Sequence, residues 1–188
     1  MKKGLVVGGV IVGIVVILVM MFAGTYNGLV SKEEEVEGKL ADISVQLERR
    51  ADLIPNLVST VKGYAAHEEK ILNSIADSRQ KLLNADSAGE MAEANEELTT
   101  AINNLLVIVE NYPDLKANTN FIQLQDELAG TENRISVARN DYNEAVKSYN
   151  TQVKSFPNNI LAGMFGFKEK EYFEAKASSN EVPEVSFE

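Results

Sequence analysis

The feature that most constrains this chain is an unbroken run of 21 uncharged residues, GLVVGGVIVGIVVILVMMFAG, at positions 4–24. As a helix it spans about 31 Å, the thickness of a bilayer's hydrocarbon core. Lys2 and Lys3 precede it, so a cleaved signal peptide is the competing reading. Two features oppose cleavage: the run exceeds the roughly 7–15 residues of a signal h-region, and no A-x-A site follows it. The sequence predicts a basic N-terminus at 1–3 and an uncleaved single-pass anchor at 4–24. Within the anchor, Gly4 and Gly8 are four residues apart, as are Gly9 and Gly13. That spacing lets two membrane helices approach closely, although glycine is also simply common in membrane helices. The four glycines are the candidate membrane-helix association site. Lys2 and Lys3 sit directly at one end of the anchor, whereas the nearest charges at the other are Lys32 and Glu33–Glu35. The positive-inside rule then favours an N-terminus in the cytoplasm and a body outside, by a thin margin because Lys39 is close.

Beyond the anchor the apolar residues recur with helical spacing. Leu29, Val36 and Ile43 share one phase, and Leu40, Leu47 and Ile54 the other, which is a buried stripe. Pro55 reads as the first turn of a new helix, with Asp52 placed to cap it. Leu57, Tyr64, Ile71 with Val61, Ile75, Leu82 carry the second stripe, and Met91, Leu98, Ile102, Leu105, Leu106, Val109 the third. The fourth repeats every seven residues through Phe121, Leu128, Ile135, Tyr142 and Tyr149. The expected helices cover about 29–52, 54–84, 90–111 and 119–154. An aromatic-rich segment at 158–174 is expected to plug one end of the bundle. Thr25–Gly28 reads either as a flexible joint or as helix running straight on. The predicted fold is all-α: one transmembrane helix, then an antiparallel four-helix, coiled-coil-like body over 25–174. A polar, acidic tail at 175–188 is expected to be disordered.

Charge and composition narrow the function. Past residue 24 there are 16 basic and 28 acidic side chains, a formal charge of −12. Bulk electrostatics then disfavours nucleic acid as a partner. With no cysteine, thiol catalysis, thiolate metal sites and disulfides are excluded. His67 is the only histidine, and its HEEKI context lacks the second histidine of a zinc motif. No nucleotide cradle, nucleophile elbow or calcium loop occurs, so the reading assigns no catalytic, cofactor or metal residues and no enzyme activity. The unusual charged feature is Arg49, Arg50 and Asp52. Arg50 falls on the phase of Leu29, Val36 and Ile43, and a seam arginine needs a carboxylate, from Asp52 or a facing Glu. The cluster is therefore a candidate for fixing helix register or for docking a partner. Tyr142 and Tyr149 read as core packing.

RRADLIPNLVSTVKGYAAHE (Arg49–Glu68) resembles the signature of the LemA family of bacterial membrane proteins. The resemblance extends through YNGLVSKEEEVEGKLADISVQL, NYPDLKANTNFIQLQDELAGTENRI, ARNDYNEAVKSYN and FPNNILAGMFGFKEKEYFE, in that order. It implies one N-terminal membrane helix with an all-helical body, and it includes a branch belonging to magnetosome organelles. It also implies the bacterial cytoplasmic membrane as location, and neighbours such as membrane-linked metalloproteases or TPM-domain proteins. It carries over no catalytic residues. Three function classes follow: a self-associating envelope scaffold, an adaptor for another envelope protein, and an enzyme, which the residues support least.

Overall fold

A computed structural model describes residues 2–174, with side-chain surroundings from residue 8 onward. The expected acidic tail at 175–188 lies outside the described residues. The elements in order are α1 (Lys2–Lys62), α2 (Glu69–Leu83), α3 (Ala88–Val109), α4 (Pro113–Lys116), α5 (Thr119–Lys154) and α6 (Asn158–Phe165). No strand occurs among the described residues. Thr25–Gly28 is helix, so the apolar run and the first amphipathic stripe belong to one uninterrupted α1.

Two compact units divide the described chain: residues 2–41 with 141–170, and residues 42–140 with 171–174. The second unit is a four-helix arrangement. Its α2 packs on α3, joined by a short turn at 84–87. Ser87 caps α3 by accepting from the Glu90 amide at 3.2 Å, while the Glu90 carboxylate accepts from the Ser87 amide at 3.2 Å. This reciprocal box satisfies two otherwise orphaned amides. Ser44 and Arg50 of α1 meet Met91 and Asn95 of α3 in the same order, so those helices run parallel. Leu47 lies near Leu82, and Ala51 near Arg79, so α2 runs against α1. Arg49 pairs with Glu127, and Asn56–Thr60 line a groove with Asn120–Leu124, so α5 also runs against α1. The topology is up-down-up-down. The stripes read from sequence are buried at Ile43, Leu47, Ile54, Leu57, Val61, Ile75, Leu98, Leu105, Phe121, Leu128 and Ile135.

In the first unit, Lys39 reaches Asp141 and Gly28 lies against Gln152, again an antiparallel pairing of α1 with α5. Leu29, Val36, Val146 and Tyr149 form its interior. The end segment differs from expectation. Leu161, Ala162 and Phe173 are buried, but Phe156, Ile160, Met164, Phe165 and Tyr172 stay exposed. A helix of eight residues has too little circumference to bury every apolar side chain it carries, and Phe156 and Tyr172 lie outside it.

The expected break at Pro55 does not occur: α1 continues through it to Lys62, and the break falls at 63–68. Tyr64, expected in the second stripe, consequently lies past the end of α1 and is exposed. Proline has no amide, so the carbonyl four residues earlier, that of the buried Ala51, loses its helical donor. Arg79 of α2 replaces it, its Nε donating to the Ala51 carbonyl oxygen at 2.8 Å. An uninterrupted helix through proline is tolerated here because a side chain from the neighbouring helix supplies the missing hydrogen bond.

The arrangement predicts a non-additive pair. Arg79→Met should cost about 1–3 kcal/mol by orphaning a buried carbonyl. In a Pro55→Ala background the restored amide should remove most of that cost. Thermal midpoints of the four proteins in detergent, followed by circular dichroism, form the cycle. Equal losses from Arg79→Met in both backgrounds would disprove the compensation.

Candidate functional site

The most unusual chemistry in the bundle is the arginine on the α1 seam. The Arg50 side chain is 4% exposed. Its Nη1 donates to Asn95 Oδ1 of α3 at 2.6 Å and forms an ion pair with Glu132 of α5. Its buried Nε has no partner among the described residues. Burial lowers the guanidinium's pKa, and the Glu132 carboxylate partly offsets this. The pair is asymmetric, because the Glu132 side chain is 42% exposed and retains hydration. Thr131, fully buried on the same turn of α5, returns its hydroxyl to the Leu128 carbonyl at 2.8 Å.

The structure separates the three residues singled out from sequence. Arg50 is buried and pairs with the facing Glu rather than with Asp52. Asp52 is exposed, because a residue two positions on points about 200° around the helix. Arg49 is exposed and reaches Glu127 at 3.3 Å, at one rim of a shallow polar groove lined by Asn56, Thr60, Asn120 and Gln123. Sequence reasoning missed Asn95, although its position as a polar residue at seam spacing between Met91 and Leu98 was a usable signal. Glu132 carries no such signal.

A second polar cluster, in the other unit, escaped sequence reasoning. Asn150 of α5 holds the backbone of Lys170 at both ends: its Nδ2 donates to the Lys170 carbonyl at 2.9 Å, and its Oδ1 accepts from the Lys170 amide at 2.9 Å. The Lys170 ammonium then reaches Glu33 at 2.8 Å and Glu37 at 3.3 Å on α1. Burial alone would pull the lysine's pKa down, but hydrogen bonds and charge from Glu33 and Glu37 raise it overall. Tyr149 is fully buried beside them, its hydroxyl without a partner among the described residues, and burial raises its pKa. Nothing in KEKEYFE signals this clamp, since its partners lie 20 and 133 residues away.

His67 is exposed in the connection after α1. Among the described residues, no group of three or more His, Cys, Asp or Glu side chains is arranged to hold a metal ion. Gly8, Gly9 and Gly13 lie on α1 with open space where a Cβ would stand, and Gly4 falls outside the residues whose surroundings are described.

The Arg50 geometry predicts an order of stabilities. Glu132→Ala leaves a guanidinium buried against one amide and should cost near 3 kcal/mol, the low end for broken buried pairs because water can enter where the carboxylate stood. Arg50→Met keeps the stem's packing and leaves a carboxylate that is already hydrated, so its cost should be smaller, about 1–2 kcal/mol. Circular dichroism melts of both variants give the ranking. Were the cluster only an exposed docking patch, both shifts would stay within about a degree or two.

Sequence comparison supplies the kinship. The profile of the LemA family matches residues 39–187. "Magnetosome protein MamQ 2" of Paramagnetospirillum magneticum is 28% identical over a 181-residue alignment covering 82% of this chain and 66% of that protein. "Magnetosome protein MamQ" of Magnetospirillum gryphiswaldense is 26% identical with the same coverage. The chain thus spans just under two thirds of the length of these relatives. "Protein LemA" of Metamycoplasma hominis is 26% identical over 163 aligned residues, covering 85% of this chain and 73% of that protein. With the family profile extending over most of its length, the chain belongs to the LemA family.

Proposed function

We propose that this chain is a membrane-anchored, non-enzymatic scaffold of the bacterial cell envelope, self-associating through its membrane helix and its bundle helices. The observation that carries the reading is the continuity of α1, which joins a span of membrane-crossing length and hydropathy to the bundle without a linker. Such a chain ties the position of its body to whatever its membrane helix contacts. Gly8, Gly9 and Gly13 support self-association, because small residues, with Gly9 and Gly13 four apart, let a second membrane helix approach closely. Homo-oligomers and the lipid bilayer are the partners this reading requires. In an organism of the magnetosome type, named by its relatives, the membrane served would be that organelle's; elsewhere it would be the cytoplasmic membrane.

An adaptor for another envelope protein is the second reading, favoured by the exposed apolar side chains around α6. The mass of the detergent-extracted protein purified alone separates the two. A large homo-oligomer is expected, and a monomer would overturn the scaffold in favour of the adaptor. Replacing Gly8 and Gly9 with Leu should shrink the oligomer while leaving helicity unchanged. Unchanged assembly would move the contact to the bundle helices.

Orientation has its own test. With Lys2 and Lys3 flanking the anchor, the body is expected outside the cytoplasmic membrane. Protease added to intact spheroplasts should digest it. Protection until lysis would reverse the topology.

A further inference from the structure

The apolar side chains left exposed by the end segment are not scattered. Ile160 and Met164 stand one turn apart on the same side of α6, 53% and 70% exposed, and Phe156, 81% exposed, lies in the turn leading into it. Leu161 and Ala162 fix the other side of α6 in the interior. Gly166, at φ 81°, ends the helix in the left-handed region that a side chain would resist, and turns the chain toward Phe167.

The position of α6 is set by two ring contacts. Tyr26 of α1 meets Phe165 edge-on with centroids 5.0 Å apart, and Phe167 likewise at 5.6 Å. Tyr26 is two residues past the apolar run, about 3 Å along the helix axis. The first charge after that run is Lys32, eight residues past Gly24 and about 12 Å on. Tyr26 thus falls within the headgroup layer, about 5–8 Å deep on each side and a zone where tyrosine is enriched, and no charge precedes Lys32. The turn and helix bearing Phe156, Ile160 and Met164 are therefore pinned at the level where α1 leaves the hydrocarbon.

We propose that α6 is a second membrane contact, an interfacial foot whose Phe156, Ile160 and Met164 side chains enter the headgroup–acyl boundary beside α1. The proposal rests on residues 4–24 spanning the bilayer. An eight-residue helix is too short to form on a lipid surface by itself, and here the protein supplies it preformed. Zwitterionic lipid suffices, because the contact is apolar and the surrounding body is acidic. A partner protein would have to reach the same face within the headgroup layer, which makes the bilayer the better-fitting occupant.

The chain contains no tryptophan, so a single introduced one reports its own surroundings. Phe22→Trp, Phe156→Trp and Met164→Trp are each reconstituted in phosphatidylcholine vesicles brominated either near the glycerol or near the chain end. Both positions in the end segment are exposed, so their packing cost is small, and unchanged helicity checks the fold. Phe22→Trp should be quenched, confirming the anchor. Phe156→Trp and Met164→Trp should lose intensity about two-fold with the shallow bromines and less with the deep ones, as an interfacial depth requires. A quenched Phe22→Trp with unquenched, water-like emission from the other two overturns the foot alone. Blue-shifted but unquenched emission from those two also overturns it, and assigns the face to a second copy of the chain. An unquenched Phe22→Trp removes the anchor, and the foot with it.

Discussion

The bundle turns on one missing amide. Pro55 deprives the Ala51 carbonyl of its donor, and Arg79 restores the bond from a different helix. The next residue back, Arg50, reaches Asn95 and Glu132. Two adjacent residues of α1 thus hold polar contacts to α2, α3 and α5 within a single turn. A local defect in one helix has become the place where all four helices are tied at a fixed height.

That tie matters because the remaining contacts are permissive. The seams are narrow and built from Leu, Ile, Val and Ala, which pack acceptably after a slide of one heptad. Polar groups do not tolerate such a slide. Moving α2 by one turn would leave the Ala51 carbonyl without a donor, and moving α5 would leave the Arg50 guanidinium in apolar surroundings. Each displaced group faces a desolvation cost larger than the benefit of its native bond.

Heptad spacing made the all-α class and the helices α3 and α5 legible, because burial in long helices is periodic, and the uncharged run made the N-terminal helix of membrane-crossing length legible. The seam arginine was legible for the same reason. What the spacing hid was any bond whose two ends lie on different helices: Arg79 reaching Ala51, Glu132 reaching Arg50, Lys170 reaching Glu33. Pro55 illustrates the limit. Its local effect, a lost donor, reads directly from sequence, and its rescue depends on a residue 28 positions away. The apolar end segment was recognised and expected to plug one end of the bundle, since composition does not say how many of its side chains the interior can take up.

Antiparallel pairing of the first and last long helices fixes an order of events during synthesis. The Glu37 and Lys170 partners are 133 residues apart. At bacterial elongation rates of about 5–20 residues per second, roughly 7–27 seconds separate their appearance. Throughout that interval the stripe bearing Leu29 and Val36 has no α5 to cover it. The nascent chain is thus open along its sticky face until α5 follows.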